Sequence, residues 1–273
     1  MTLLQAILLG IIQGLTEFLP ISSSAHLVLV PYLLGWDLPA EEAFIFNVLV
    51  QVASLVAVIT FFWQDLRTIL ISWLKGLVQR QPFSDRDARL GWLLVLATIP
   101  AGLIGITIKD LVESAFANPR MVSAFLLVTA ALLVTAERIG SQQRELDDLN
   151  WKDALLVGFA QALAILPGIS RSGATITGGM LRGFERPPAA RFAFLMMVPI
   201  MLAAGLYATL DLLKIQNFEQ QLSFYLPGLL ASAIVSYISI RWLLKYLIHH
   251  SLYIFAVYCV ILAAVCLGVG YFR

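Results

Sequence analysis

The residues of this sequence that could do chemistry fall in two short stretches, each set in apolar surroundings. In the first, Gln13 and Glu17 stand four apart and share one helix face, followed by Pro20, the hydroxyls of Ser22, Ser23 and Ser24, and His26. A carboxylate near bilayer depth costs about 2.5–3.5 kcal/mol even on permissive insertion scales, so Glu17 needs a partner. The carbonyls at a helix C-terminus carry partial negative charge, and Glu17 just before Pro20 adds to it, which suits a divalent cation such as Mg2+ or Ca2+. The alternative is a Glu17 bonded to the second stretch, or to Arg171, with no metal. One serine is expected to cap the helix that follows. His26 lies close enough to take a serine proton or to react itself, the plainer reading being a core histidine bonded to a carbonyl.

The second stretch, Pro167-Gly168-Ile169-Ser170-Arg171-Ser172-Gly173-Ala174-Thr175, combines glycines that free the backbone, hydroxyls that donate, and an arginine at a helix N-terminus. Such a terminus is already partly positive, so Arg171 there is unfavourable unless a negative group binds both. The planar guanidinium fork grips phosphate oxygens, and phosphate binding is the chemistry implied. An ion pair between Arg171 and Glu17 that only pins the two stretches together is the plainer alternative.

The elements that must position these residues are membrane helices. Of 273 residues, 60% are hydrophobic and 13% charged, against about 25% charged in a soluble domain. A net charge of +1 and the lack of a Lys/Arg-rich stripe exclude nucleic acid as a partner. Cys259 and Cys266 lie two turns apart on one apolar run, beyond disulfide reach. The first apolar stretch, with Gln13 and Glu17 inside it and no basic segment before it, is expected to belong to the mature protein.

Six segments are long enough to cross a bilayer: Phe44 to Trp63, Leu90 to Ile108, Met121 to Ala136, Ala189 to Leu210, Leu222 to Leu244 and Leu252 to Tyr271. Leu3 to Leu19, Ala25 to Leu34, Ala154 to Leu166 and Ser172 to Leu181 fall short, and form two pairs, each broken by a Pro-containing, Ser-rich turn. The fold expected is an all-α polytopic membrane protein, one domain over residues 1–273, with six transmembrane helices and two re-entrant helix-loop-helix hairpins. Gln13, Leu15, Ser22 and Ser24 align with Gln161, Leu163, Ser170 and Ser172, so residues 1–140 and 150–273 read as two repeats. Three crossings after each hairpin invert the second repeat relative to the first and point to a site near the midplane. The loops holding Arg67 to Arg89, Arg138 to Lys152, Arg182 to Arg191 and Arg241 to Lys245 lie on one side, and Lys109, Arg120, Lys214 and Arg273 on the other. The first side is cytoplasmic by the positive-inside rule, so both termini and the first hairpin's mouth face outward. Arg182, Arg186, Arg191 and the Asp85 to Arg89 cluster read as juxtamembrane residues near lipid headgroups.

At these residues the chain resembles the bacitracin-resistance type of undecaprenyl-diphosphate phosphatases. One motif runs from Gln13 to Glu17 and on through Phe18-Leu19-Pro20-Ile21-Ser22-Ser23-Ser24-Ala25-His26; the other, PGxSRSxxT, is complete from Pro167 to Thr175, and the likeness extends over the whole chain, including Gln51 to Leu55. Gln13 stands where many members have Glu, and Ala25 where Gly is common. The resemblance implies hydrolysis of undecaprenyl diphosphate to undecaprenyl phosphate and inorganic phosphate, dependent on a divalent cation, in a bacterial inner membrane and at a site open to its outer face. Arg171, Gly168, Ser170, Ser172 and Thr175, with Ser22 and Ser24, are then expected to hold the diphosphate of the polyprenyl lipid. Glu17 with Gln13 positions the cation or a proton, and Ser23 attacks the terminal phosphorus with His26 assisting. Ser22, Ser24, His26 or an activated water are the other candidate nucleophiles. A lipid flippase or transporter is the rival reading, because inverted repeats with paired hairpins are a transporter architecture. Membrane lipids are the expected surroundings, and the sequence leaves a homodimer open.

Overall fold

The computed structural model describes residues 1–83, 85–212 and 218–272. Twelve α-helices make up nearly all of it: α1 (Leu3–Thr16), α2 (Ser23–Leu34), α3 (Ala40–Phe61), α4 (Trp63–Val78), α5 (Arg86–Thr107), α6 (Lys109–Phe116), α7 (Pro119–Ile139), α8 (Trp151–Leu163), α9 (Arg171–Leu181), α10 (Arg186–Leu212), α11 (Phe218–His249) and α12 (Tyr253–Phe272). Six of them, α3, α5, α7, α10, α11 and α12, are long and apolar enough to cross a membrane, and they are the six segments expected. The chain is a multi-pass membrane protein. Of the charges used to orient it, Lys214 and Arg273 lie outside the described residues.

The four short helices have 14, 12, 13 and 11 residues. At about 1.5 Å per residue none reaches across a hydrocarbon layer of about 30 Å. Local chemistry sets their ends. Thr2 and Gln5 form a capping box that starts α1, Asn150 and Asp153 form another that starts α8, and single serines, Ser22 and Ser170, cap α2 and α9.

Two helices were not expected. On α4, Leu70, Ile71, Leu74, Leu77 and Val78 are exposed, and the helix lies against α5. Its apolar residues recur at three- and four-residue spacing among Asp65, Arg67 and Lys75, a pattern too polar for a span. The short α6 joins α5 to α7 and packs on α7.

The packing of the short helices is reciprocal. The first of them, α1, lies on α11, and its counterpart α8 lies on α5, so each is gripped by a long helix from the other half of the chain. Glycine makes both contacts close. A Cβ on Gly10 would sit 2.1 Å from the Gly228 carbonyl oxygen, and one on Gly158 would sit 2.5 Å from that of Ala97. Between these contacts α3 meets α10 and α11, α10 meets α5, and α7 meets α12. Phe18, fully buried in the turn after α1, stands edge-on to Phe194 of α10 with ring centroids 5.3 Å apart.

Two of the arginines expected at lipid headgroups are instead tied to buried carboxylates. Asp153, fully buried at the start of α8, accepts from Arg144 Nη2 and Arg182 Nε, each at 2.6 Å. Arg186 pairs with the buried Glu137 of α7. A carboxylate buried by packing must be matched by charge and hydrogen bonds, and these arginines are the match. Burial opposes ionisation of Asp153, but the hydrogen bonds from Arg144, Arg182 and the Asn150 N–H outweigh it and hold its carboxyl below the ordinary carboxylate range. Arg191 keeps to the surface with Asp65, at 2.7 Å.

Gly10→Ala and Gly158→Ala are each expected to lower thermal stability in detergent by about 1–3 kcal/mol through overpacking. Gly102→Ala, where a Cβ meets nothing within 4 Å, serves as the control and leaves the unfolding midpoint in place. The Asp153 carboxyl is depressed in the folded state, so its contribution is present above the ordinary value of 3.8 and is lost as pH falls through the lower folded value. Asp153→Asn removes one partner from two arginines and is expected to cost about 3–5 kcal/mol near neutral pH, measured as the loss of unfolding temperature against wild type.

Candidate active site

The first turn gathers the acid, the hydroxyls and the histidine. Glu17 is the C-cap of α1, its N–H bonding to the Gln13 carbonyl, so its side chain projects from the end of the helix at 4% exposure. Gln13 Nε2 donates to Glu17 Oε2 at 2.9 Å and reaches Ser54 Oγ of α3 at 3.4 Å. Ser54 in turn accepts from Ser236 Oγ at 3.1 Å and meets Ser232 Oγ at 3.3 Å, both on α11. Through this chain the two long helices that pack on α1 fix the direction of the carboxylate. Gln13 Oε1 is buried without a protein partner among the described residues.

Ser23 opens α2, and its Oγ donates to Glu17 Oε2 at 2.5 Å. The serine expected to react is thus held on the acid and not on a ring nitrogen of His26. Ser22 is the serine that caps α2, accepting from the Ala25 N–H at 3.3 Å. Its φ of 67° lies in the left-handed region, a strained choice for a residue with a side chain, and it turns the Ser22 carbonyl toward His26. Because a carbonyl only accepts, the 2.7 Å contact makes His26 Nδ1 the protonated nitrogen. Nε2 meets the hydroxyl of Tyr258 on α12 at 2.7 Å, and the two rings stack 7° from parallel.

The second turn presents the arginine. Gly168 has φ of 106°, and a Cβ there would lie 2.4 Å from the Val122 carbonyl oxygen, so this bend against α7 demands glycine. Thr129 of α7 holds it on both sides, donating to the Gly168 carbonyl and accepting from the Ser170 N–H, each at 2.9 Å. Ser170 caps α9 through the Gly173 N–H at 3.1 Å and contacts Ser172 Oγ at 3.1 Å. Thr175 Oγ1 donates back to the Arg171 carbonyl at 2.8 Å. Arg171 is half-buried, and among the described residues its side chain has no hydrogen-bond or ion-pair partner. The ion pair with Glu17 considered above is not formed. As the first residues of a helix, Arg171 and Ser172 have N–H groups with no acceptor inside it.

The two turns meet. Ser172 Oγ donates to the Leu19 carbonyl at 3.0 Å, and the Gly168 N–H donates to Ser24 Oγ at 3.3 Å. Ser22 Oγ and Ser24 Oγ are 3.1 Å apart. The expected site residues from both stretches are therefore brought together, with a division among them. Glu17, Ser23, Arg171 and the start of α9 keep chemical capacity, whereas Gly168, Ser24, Ser172 and Thr175 have polar atoms engaged in the turns themselves. Thr129, Ser54, Ser232, Ser236 and Tyr258 were missed. Only Ser54 stood in a stretch already singled out, and lone hydroxyls on apolar helices, like a tyrosine near a helix end, give no distinct signal. No group of three or more His, Cys, Asp or Glu is gathered among the described residues.

Six apolar spans packed with shorter helices, and a buried acid, a hydroxyl and a half-buried guanidinium without a partner among the described residues where the two turns meet, define a multi-pass membrane protein with polar groups gathered inside it. The chain belongs to the BacA family: the profile described as bacitracin resistance protein BacA matches residues 6–265. It is 42% identical over 270 residues to an undecaprenyl-diphosphatase of Chloroherpeton thalassium, covering 96% of this chain and 94% of that one. To the undecaprenyl-diphosphatase of Moorella thermoacetica it is 42% identical over 273 residues, with all of both chains covered. With that of Thermomicrobium roseum the identity is 41% over 274 residues, 98% of each.

Gly168→Ala combines a disfavoured φ with a backbone clash, and is expected to lower the thermal unfolding midpoint by the equivalent of about 2 kcal/mol or more.

Proposed function

We propose that this chain is an integral membrane phosphatase that hydrolyses undecaprenyl diphosphate to undecaprenyl phosphate and inorganic phosphate where its two interrupted hairpins meet. The single observation that carries this is the pairing of Ser23 with Glu17, 2.5 Å apart, beside a helix N-terminus whose Arg171 has no partner among the described residues. The family relatives, named undecaprenyl-diphosphatases, supply the lipid. A site among membrane helices suits a polyprenyl tail.

In this mechanism the Arg171 guanidinium and the N–H groups of Arg171 and Ser172 bind the diphosphate oxygens, with Ser170 and Ser22 at the edge of the site. Gly168, Ser24, Ser172 and Thr175 hold the turns in register. Ser23 Oγ attacks the terminal phosphorus and gives its proton to Glu17 Oε2. The bond from that phosphorus to the bridging oxygen breaks, undecaprenyl phosphate leaves with the bridging oxygen, and a phosphoserine remains. Water then attacks the phosphoserine, restoring the Ser23 hydroxyl and releasing inorganic phosphate. His26 shares the α2 face with Ser23 and assists the proton exchange through Nε2, the ring nitrogen not bound to the Ser22 carbonyl. Glu17 and Gln13 Oε1, which is buried without a protein partner among the described residues, would hold a divalent cation, Mg2+ or Ca2+. When bound, the cation neutralises charge on the diphosphate.

The finer architecture follows the same reading. Helices too short to span, arranged as helix-turn-helix pairs, favour re-entrant hairpins, and the reciprocal contacts of α1 with α11 and α8 with α5 favour an inverted repeat. The positive-inside rule then places both termini and the opening of the site on the outer face of a bacterial cytoplasmic membrane. That reciprocal packing also favours the second reading, movement of a polyprenyl phosphate between leaflets.

Purified protein in detergent is expected to release phosphate from undecaprenyl diphosphate, less so with a chelator. Arg171→Ala should fall furthest, by roughly 10²–10³, as expected for a donor that steadies transition-state charge, with Glu17→Ala and Ser23→Ala also strongly reduced. Quenched single turnovers should label Ser23; an unlabelled Ser23 with an intact burst would refute it as nucleophile. Binding without hydrolysis, together with lipid transfer between vesicle leaflets, would replace the phosphatase reading by the transport one.

A further inference from the structure

We propose that Tyr258 is a positioning residue for His26, so that the last helix of the chain sets the proton-exchanging nitrogen of the first turn. The inference rests on the phosphatase reading of the site and concerns a residue outside both motifs.

The argument starts from the imidazole. The Ser22 carbonyl accepts a hydrogen bond from the Nδ1–H at 2.7 Å, leaving Nε2 as the nitrogen of the neutral ring that carries a lone pair. The Tyr258 hydroxyl, 2.7 Å from Nε2, is its partner among the described residues. A phenol serves this nitrogen in either protonation state, donating to the neutral ring and accepting from it once Nε2 is protonated. Without the hydroxyl, a ring at 4% exposure would carry an unmatched nitrogen in both states.

Orientation is controlled at the same time. The rings of His26 and Tyr258 stack with centroids 5.6 Å apart, so the tyrosine limits rotation of the imidazole as well as bonding to it. The next residue, Cys259, lies against the Pro20 carbonyl at 3.9 Å, and α12 therefore rests on the turn that carries Glu17 and Ser23. Tyr258 itself is 41% exposed, so the protein does not need its hydroxyl to fill the core, and a phenylalanine would cover the same surface.

That substitution separates positioning from packing. Tyr258→Phe keeps the ring and the stack and removes only the hydroxyl. Its kcat for phosphate release from undecaprenyl diphosphate is expected to fall roughly tenfold, a part of the roughly 10²–10⁴ that an acid–base group contributes, with KM within about twofold of wild type. Tyr258→Ala, which also removes the stack, should fall at least as far, and Tyr258→Phe in a His26→Ala background should cause no further loss, because the hydroxyl acts only through the imidazole. Wild-type kcat in Tyr258→Phe, or an added loss in the double variant, would overturn the inference and leave the phosphatase reading standing. Full activity in His26→Ala alone would instead remove His26 from the mechanism and Tyr258 with it.

Discussion

The constraint on which this structure depends is that a helix interrupted inside a membrane exposes backbone groups that have no water to satisfy them. On the re-entrant reading proposed above, each turn leaves carbonyls and N–H groups at a depth where an unmatched one costs several kcal/mol. The chain resolves this by letting each turn complete the other: the Leu19 carbonyl accepts from the Ser172 hydroxyl, and the Gly168 N–H donates to Ser24 Oγ. Thr129, on a spanning helix, adds to this, with one hydroxyl serving two backbone groups of the second turn. Contact between the turns is therefore a condition of burying them, and the functional side chains are brought together as its by-product.

Charge is arranged on this frame with unequal completeness. Glu17 is served by an amide and a hydroxyl, neither of them charged, so its negative charge is steadied but not neutralised. Arg171 has no side-chain partner among the described residues. At the far end of α8 the same chain neutralises Asp153 with two arginines and Glu137 with a third, which shows what a purely structural ion cluster looks like in this protein. The contrast separates the two places physically: one is balanced in itself, and the other, on the function proposed above, would be balanced by a phosphate and its counter-cation.

Much of this was legible in the residues. Pro20 and the Pro167-Gly168 pair marked the interruptions, one serine of Ser22 to Ser24 was expected to cap the helix after it and Ser22 does so, and Glu17 and Arg171 stood out because a charged residue has few other reasons to stand in an apolar run. Boundaries suffered where polarity fades gradually, so α10 and α11 run past their expected ends. The amphipathic α4 was invisible to a search for spans because its apolar face is interrupted by charge. The partners of Arg182 and Arg186 lie 29 and 49 residues away, and nothing local announces them. The supporting hydroxyls were hidden for a different reason. Ser54 and Ser123 also bond to the carbonyl four residues back, as serines on membrane helices commonly do, so a serine in a span reads the same whether or not it also steadies a distant acid.

The register that sets Gln13 beside Gln161 also sets Gly10 on Gly158, Ser23 on Arg171, Glu17 on Ile165 and His26 on Ala174. The shared positions are those that shape and pack the hairpins, and the differing ones are those to which the proposed mechanism gives chemical roles. Gln161 keeps its place yet is buried with both amide atoms unpartnered among the described residues, while Gln13 has gained an acid to steady. Two copies of the first hairpin would set carboxylate against carboxylate, and two of the second guanidinium against guanidinium. The acid and the guanidinium on opposite hairpins thus need two unlike sequences, which one chain carrying both supplies.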